Sequence, residues 1–460
     1  MRITFLDIFL IVAALTVPVG NAWAMSLEDA VRHTIISNPN VKSAQAARRA
    51  TGHALRQAQG RLLPRVDVTA EIGQQRVDRP GSFAPQVNRV WRNSRQATVT
   101  VRQILFDGWN RANDIYKNAA RVDASAWRVM QNSESRGLDA VEAYIDVWRH
   151  QQLLVIAQRN VNRHNEILSL VRQRESGGKA AKSEVDQTIE RVIAAKAVME
   201  EIRQAWKDAA AKFLRVVGIN PKGIGRVSYP KQLPQSLPTA RRRAIDNSPI
   251  IRAAAADVDA SQFESEQAES DYMPQIFLEG SATFGADRDG ATGKDNDLTG
   301  MVVLSWNLFN GFGTTNRYRE LAERRNQANW DHAAREREVV EAIDRAWAAF
   351  TIGRERVGLF RQQFAKAKKV VEAYKQEYEL SKRSLLDLLD SESALFSSSF
   401  QLTSVNAVRI FSAYQLLATM GGLLDSLGVA APAEAVANHR VQSQRPLGIF
   451  NINIEPLRKP

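Results

Sequence analysis

Mostly helical with a small transmembrane β part, internally duplicated and built from several identical copies: this is the fold class the sequence predicts. Three observations predict it. Landmarks recur at a fixed spacing along the chain, short segments alternate apolar and polar residues with the period of a strand, and two stretches run helical far beyond globular length.

Arg2 precedes an apolar run over residues 8–19, and Ala22-Trp23-Ala24 has the small-x-small pattern of a cleavage site. Residues 1–24 therefore read as an export signal, with a mature chain expected to start at Met25. A spanning helix needs about 20 apolar residues, and no later window approaches that without charges, so membrane attachment must come from strands. The absence of Cys excludes disulfides, thiolate metal sites and an acylated N-terminal Cys. The length of 460 residues would suit about three ordinary domains. The net charge of +12 invites a nucleic-acid partner, but Lys and Arg alternate with Asp and Glu along segments such as 335–345. Export argues further against nucleic acid, leaving a basic surface toward anionic lipid or acidic partners.

Pro39 and Pro64, flanking an Ala/Gln-rich helical stretch, recur as Pro249 and Pro274, each 210 residues on. Phe106-Asp107-Gly108 recurs as Phe309-Asn310-Gly311, 203 residues on. The second copy is shortened between these landmarks, where polar loops (74–95 and 285–297) absorb length changes cheaply. The first repeat is read as 25–218 and the second as 239–428. The linker 219–238 carries Pro221, Pro230, Pro234 and Pro238, and the tail 429–460 is expected to be poorly ordered.

Each repeat opens its β part with alternation: Val66, Val68, Ala70 and Ile72 against Asp67, Thr69 and Glu71, then Ala97, Val99 and Val101 against Thr98, Thr100 and Arg102. The second copy alternates at Ile276, Leu278, Gly280, Ala282 and Phe284, and again from Leu298 to Leu308. Strands are predicted at about 65–75, 96–106, 275–285 and 297–309, about ten residues each, the length of a tilted transmembrane strand. Four strands cannot close a barrel, and open edges are not tolerated in hydrocarbon, so spanning strands require several chains. One such hairpin alone also fits a soluble sheet; two matching copies favour the membrane. Trp109, Trp306 and Phe309 fit either an interfacial aromatic girdle or core packing.

Residues 110–174 contain no Pro and extend about 100 Å as helix. In the second copy Ile343, Phe350, Val357, Phe364, Val371 and Tyr378 recur at every seventh residue, with Ala346, Gly353, Phe360, Ala367 and Tyr374 three behind. A sustained heptad implies a coiled coil. Breaks at Ser176-Gly177-Gly178 and after Ser381 fold each long helix against a following one, giving hairpins over 110–217 and 312–421. Heptads alone also fit a soluble periplasmic coiled-coil adaptor, but an adaptor would carry one hairpin between strand-rich modules.

Over nearly all of residues 26–428 the chain resembles the TolC family of Gram-negative outer-membrane factors. Its most specific stretch holds Tyr378, Arg383, Asp387 and Asp390 at matching positions. The resemblance implies a homotrimeric β-barrel continuous with an α-helical periplasmic tunnel. It implies rings of Asp387 and Asp390 lining the periplasmic aperture, with Tyr378 and Arg383 holding it closed against a neighbouring segment holding Ser183 and Glu184. Glu184 stands where the family often has Asp, and Ser381 where Gly is common. Asp387 and Asp390 also suit the N-terminus of a helix as stabilising negative charge.

No catalytic or cofactor constellation stands out. The six His show no metal-ligand spacing, Gly-x-Ser-x-Gly is absent, Gly311-Phe-Gly313 lacks the third glycine of a dinucleotide loop, and Gly177-Gly178-Lys179 lacks the Ser/Thr of a phosphate loop. A passive duct needs energy from an inner-membrane transporter reached through a periplasmic adaptor. Members of the family serve type I secretion with an ABC transporter or drug and metal efflux with an RND pump. The stretch 178–187 and the missing Cys favour secretion.

Overall fold

The computed structural model describes residues 25–78, 90–230, 232–290 and 292–442. The export signal therefore lies outside the described residues, as do most of the first loop and the end of the tail.

The duplication is visible element by element. Helix α1 (Leu27–Ser37) starts where Ser26 Oγ accepts the Asp29 N–H at 3.0 Å. It kinks at Asn38 into α2 (Pro39–Gly60), with Pro39 in the first turn, where its missing N–H costs nothing. Strands β1 (Arg65–Arg76) and β2 (Trp91–Phe106) follow, then α3 (Asn110–Ser176) and α4 (Lys182–Val217). The second copy repeats the order with α5 (Leu237–Asn247), α6 (Pro249–Glu269), β3 (Gln275–Ala286), β4 (Lys294–Ser305), α7 (Gly313–Glu379) and α8 (Leu385–Thr419). Pro249 again occupies a first turn.

The recurring Asp107-Gly108 and Asn310-Gly311 are elbows from strand to long helix. Gly108 and Trp109 have φ of 62° and 65°, and Gly311 and Phe312 have 68° and 65°. Asp107 Oδ2 accepts the Arg111 N–H at 3.2 Å, and Asn310 Oδ1 accepts the Thr314 N–H at 3.2 Å. A short acceptor followed by a residue free to adopt positive φ is what this turn demands.

All four strands form one antiparallel sheet in the order β1-β2-β3-β4. Strand β2 starts five residues before the expected 96, because Trp91 to Arg95 pair with β1 through backbone bonds that need no alternation. Strand β4 ends at Ser305 rather than 309, because Ser305 already faces Gln275, the first residue of β3. Beyond it Trp306 (54%), Phe309 (73%) and, at the other elbow, Trp109 (53%) stand exposed, so none of the three is core.

Helices α3 and α7 are 67 residues each, about 100 Å long. The heptad seam of α7 is buried at Ile343, Phe350, Val357, Val371 and Tyr378. The main core lies partway along the helices, gathering Tyr144, Phe213, Ile343, Tyr414 and Leu416 with Leu423 of α9 (Leu423–Ser426). Tyrosines pin the linker to this core: Tyr144 Oη donates to the Met25 and Gly225 carbonyls at 2.7 and 3.3 Å, and Tyr414 Oη to Ser228 at 3.0 Å.

As far as Gln442 the tail departs from the expected disorder. It forms a 3₁₀ turn (Ala433–Ala435) and α10 (His439–Gln442). Asp123 of α3 is buried and accepts the N–H groups of His439 (2.9 Å) and Arg440 (3.3 Å) and the Arg440 Nε (3.0 Å). A second Arg440 contact reaches Asp259 of α6. A buried carboxylate must be paired, and among the described residues Asp123 finds its partners in this tail.

Candidate functional site

Two regions carry the chemistry, the sheet and the far ends of the helical hairpins. Register decides what the sheet presents. Val66 faces Val101, Val68 faces Val99 and Ala70 faces Ala97, while β2 in turn places Val99 opposite Ala282 and Val101 opposite Gly280. Ala282 faces Leu298 and Leu278 faces Val302. Directly opposed residues share a face, so the alternating stripes of both repeats merge into one apolar surface. That surface is open: Val68 is 70%, Ile72 82% and Leu298 85% exposed. The opposite face runs polar, with Asp67, Thr100, Ser281 and Thr299 in one row and Thr69, Thr98, Thr283 and Asp297 in the next. Strands β1 and β4 are unpaired edges. Among the described residues no helix is long and apolar enough to cross a membrane.

At the other end, α3 and α7 finish in the same way. Gly178 has φ of 70° and Ser381 57°. Lys179 N bonds the Arg174 carbonyl at 2.8 Å, and Lys382 N bonds that of Glu377 at 2.8 Å. This terminator places one residue in the left-handed region, which a side chain makes costly. Ser381 thus holds the position where glycine is common in the resembling family.

Tyr378, 3% exposed, packs in a cluster with Ile167, Val171, Leu385, Leu388 and Leu389. Its hydroxyl is buried and lies near the Arg174 side chain, without a well-formed hydrogen bond among the described residues. Burial, and after it the Glu184 carboxylate, raises the phenol above its ordinary pKa, while the charge of Arg174 pulls it down. Arg383 bonds Glu377 in its own hairpin at 2.9 Å, lies over the Tyr374 ring at 4.2 Å and stands 4.0 Å from Asp387. Within the chain the two residues Arg383 and Glu184 form no ion pair; Ser183 is exposed and Glu184 half-buried at the start of α4.

Asp387 occupies the third position of α8, where its N–H bonds Ser384 Oγ at 3.1 Å and its carboxylate accepts the Ser384 hydroxyl at 2.8 Å. This is a reciprocal cap. Asp390, one turn on, lies 3.5 Å from Arg191 of α4. Both carboxylates remain substantially exposed, at 47% and 60%.

Sequence reading missed the cations that join the hairpins. Arg174 of α3 donates to the carbonyls of Tyr378 (3.2 Å) and Glu379 (3.3 Å) and to Ser381 Oγ (2.9 Å), with its guanidinium 4.8 Å from the Tyr378 ring centre. Higher up, Arg163 pairs with Glu392 at 3.0 Å. A basic residue in the last turn before Gly177 is a helix-end signal, yet its partners lie some two hundred residues away in sequence.

A sequence profile described as "Outer membrane efflux protein" matches residues 30–218 and 240–422, one stretch in each repeat. The chain belongs to the outer membrane efflux protein family. It is similar to the outer membrane efflux protein BepC of Brucella suis biovar 1, 25% identical over 342 residues covering 74% of this chain and 75% of that one. It is also similar to the alkaline protease secretion protein AprF of Pseudomonas aeruginosa, 24% identical over 362 residues, 76% and 73% of the two chains. The solved structure of the CmeC outer membrane channel of Campylobacter jejuni superposes with a TM-score of 0.74 at 13% identity, covering 91% of this chain and 89% of that one. At that identity the likeness speaks for the fold. Membership makes this chain an outer-membrane channel component with a periplasmic tunnel, a transport protein and not an enzyme. It sets aside the soluble adaptor.

Proposed function

We propose that three copies pool their strands into one twelve-stranded barrel and hang their helical hairpins beneath it as a tunnel, forming the passive outer-membrane exit of an envelope-spanning export system. The observation that carries this reading is the four-stranded sheet, with one face apolar and exposed, the other polar, and both edges open. Exposed apolar strands with unpaired edges persist only where lipid covers the face and other strands cover the edges. Native mass spectrometry of the detergent-solubilised mature chain should give a trimer. A water-soluble monomer without detergent would refute the reading.

The cargo route we favour is type I protein secretion, through a periplasmic adaptor and an ABC transporter. Similarity to AprF and the lack of Cys support it. Drug or metal efflux with an RND pump is the second reading, favoured by the similarity to BepC. A deletion strain separates them: loss of a secreted protein at normal drug tolerance supports secretion, and the reverse pattern supports efflux.

At the tip, Asp387 and Asp390 ring the aperture, and Tyr378 and Arg383 hold it shut toward Ser183 and Glu184. The buried Tyr378 hydroxyl, close enough to Glu184 and Arg174 to feel both charges, supports this assignment. Arg383→Ser with Tyr378→Phe should raise conductance in planar bilayers, and unchanged conductance removes the gate.

A further inference from the structure

Between the two hairpins, about 24 Å of helix above Ser176, lies a groove of about 230 Å³ lined by α3, α7 and α8. Its walls are apolar at Ile156, Phe364, Leu395 and Phe396. Its rim is cationic, with Arg159, Arg163 and Lys368 against a single carboxylate, Glu392. Arg163 already neutralises Glu392 at 3.0 Å. Arg159 has no carboxylate partner among the described residues, and Lys368 stands 3.9 Å from its only one, Glu372. The remaining charge is therefore positive and unmet.

A second feature points the same way. Asn160 lines the groove at 9% exposure, with no side-chain hydrogen bond among the described residues. Its amide is not among the fully enclosed unpartnered groups, so it keeps access to the groove and can bond an occupant there. An apolar pocket with a few convergent polar groups is the ordinary form of a small-molecule site.

We propose that this groove binds a small amphiphilic monoanion, its apolar body on Phe364, Leu395 and Phe396 and its carboxylate between Arg159, Lys368 and the Asn160 amide. One chain supplies every wall named above. An occupant touches both hairpins and stabilises their packing.

Octanoate is a suitable probe, titrated calorimetrically into the mature full-length chain in lipid nanodiscs, with empty nanodiscs as reference. Saturable binding of one octanoate per chain is expected. Arg159→Gln with Lys368→Gln, both at the exposed rim, should weaken it about tenfold, the scale of losing two partly screened charge contacts. Octylamine should bind at least as poorly, and Leu395→Trp should abolish binding by filling the groove. No saturable binding above empty nanodiscs, equal binding of octylamine, or an unaffected Gln double variant each overturns the proposal.

Discussion

Glu134 is buried in α3 with its carboxylate capping α9, accepting the N–H groups of Leu423 at 3.0 Å and Leu424 at 3.3 Å. Burial pushes its pKa from 4.5 up to about 7, although both backbone bonds pull it down. Below pH 4.5 the group is protonated whether α9 is docked or open, and contributes nothing. As pH rises from 4.5 to 7 the open state releases its proton and the docked state keeps it, so docking weakens; above pH 7 the whole cost is present. At 1.36 kcal/mol per tenfold change in proton affinity, the span from 4.5 to about 7 is roughly 3 kcal/mol. Glu134→Gln removes this titration and turns an amide NH2 toward one of the two N–H groups, leaving it without an acceptor at a cost of about 1–3 kcal/mol. The two effects nearly offset each other above pH 7, so the variant should match the wild type there yet show no slope below it. Hydrogen exchange of the segment 415–430, corrected for intrinsic rates between pH 4 and 8, reads the opening directly. Parallel profiles for the two proteins would refute the reasoning.

Three further outcomes follow from the same geometry. Ser381→Gly relieves a left-handed serine by about 1 kcal/mol but loses the Arg174 bond to Ser381 Oγ; the gain should therefore appear in full only in an Arg174→Ala background, by a double-mutant cycle on tip exchange protection. Asp387→Ala with Asp390→Ala should lower cation preference in planar bilayers, and Asp387→Ala alone should cost α8 about 1 kcal/mol of capping, seen as faster exchange over 384–388. Gly108→Ala meets Met273 Cβ at 2.7 Å with φ at +62°, a clash worth about 1–3 kcal/mol, so the heat stability of the purified protein should fall, whereas Gly300→Ala, with open space around it, should leave it unchanged.

The strands and helix hairpins were legible because each is written in neighbouring residues, whereas the elbows at Gly108 and Gly311 showed only as recurring landmarks. Period-two alternation and a sustained heptad act over short stretches of chain, and a duplicated sequence repeats each signal. At the tip, Asp387 sits at a helix start, as its position after Ser384 suggests, and Arg383 pairs with Glu377 in its own hairpin, a contact that no local pattern marks. Strand ends were misplaced because pairing is terminated by the partner strand, which local pattern does not encode.

By itself, then, the sequence determined the parts: two strand pairs, two helical hairpins of about 100 Å, and their tandem order. Only the tertiary structure decided that β2 pairs with β3, which brings the stripes of both repeats onto one face. It alone joined Arg174 to the end of α7 and tied the tail to Asp123. The physical reason is range. Backbone geometry and side-chain period are local, while the pairing of distant charges and strand edges depends on which surfaces the folded chain brings within about 3 Å.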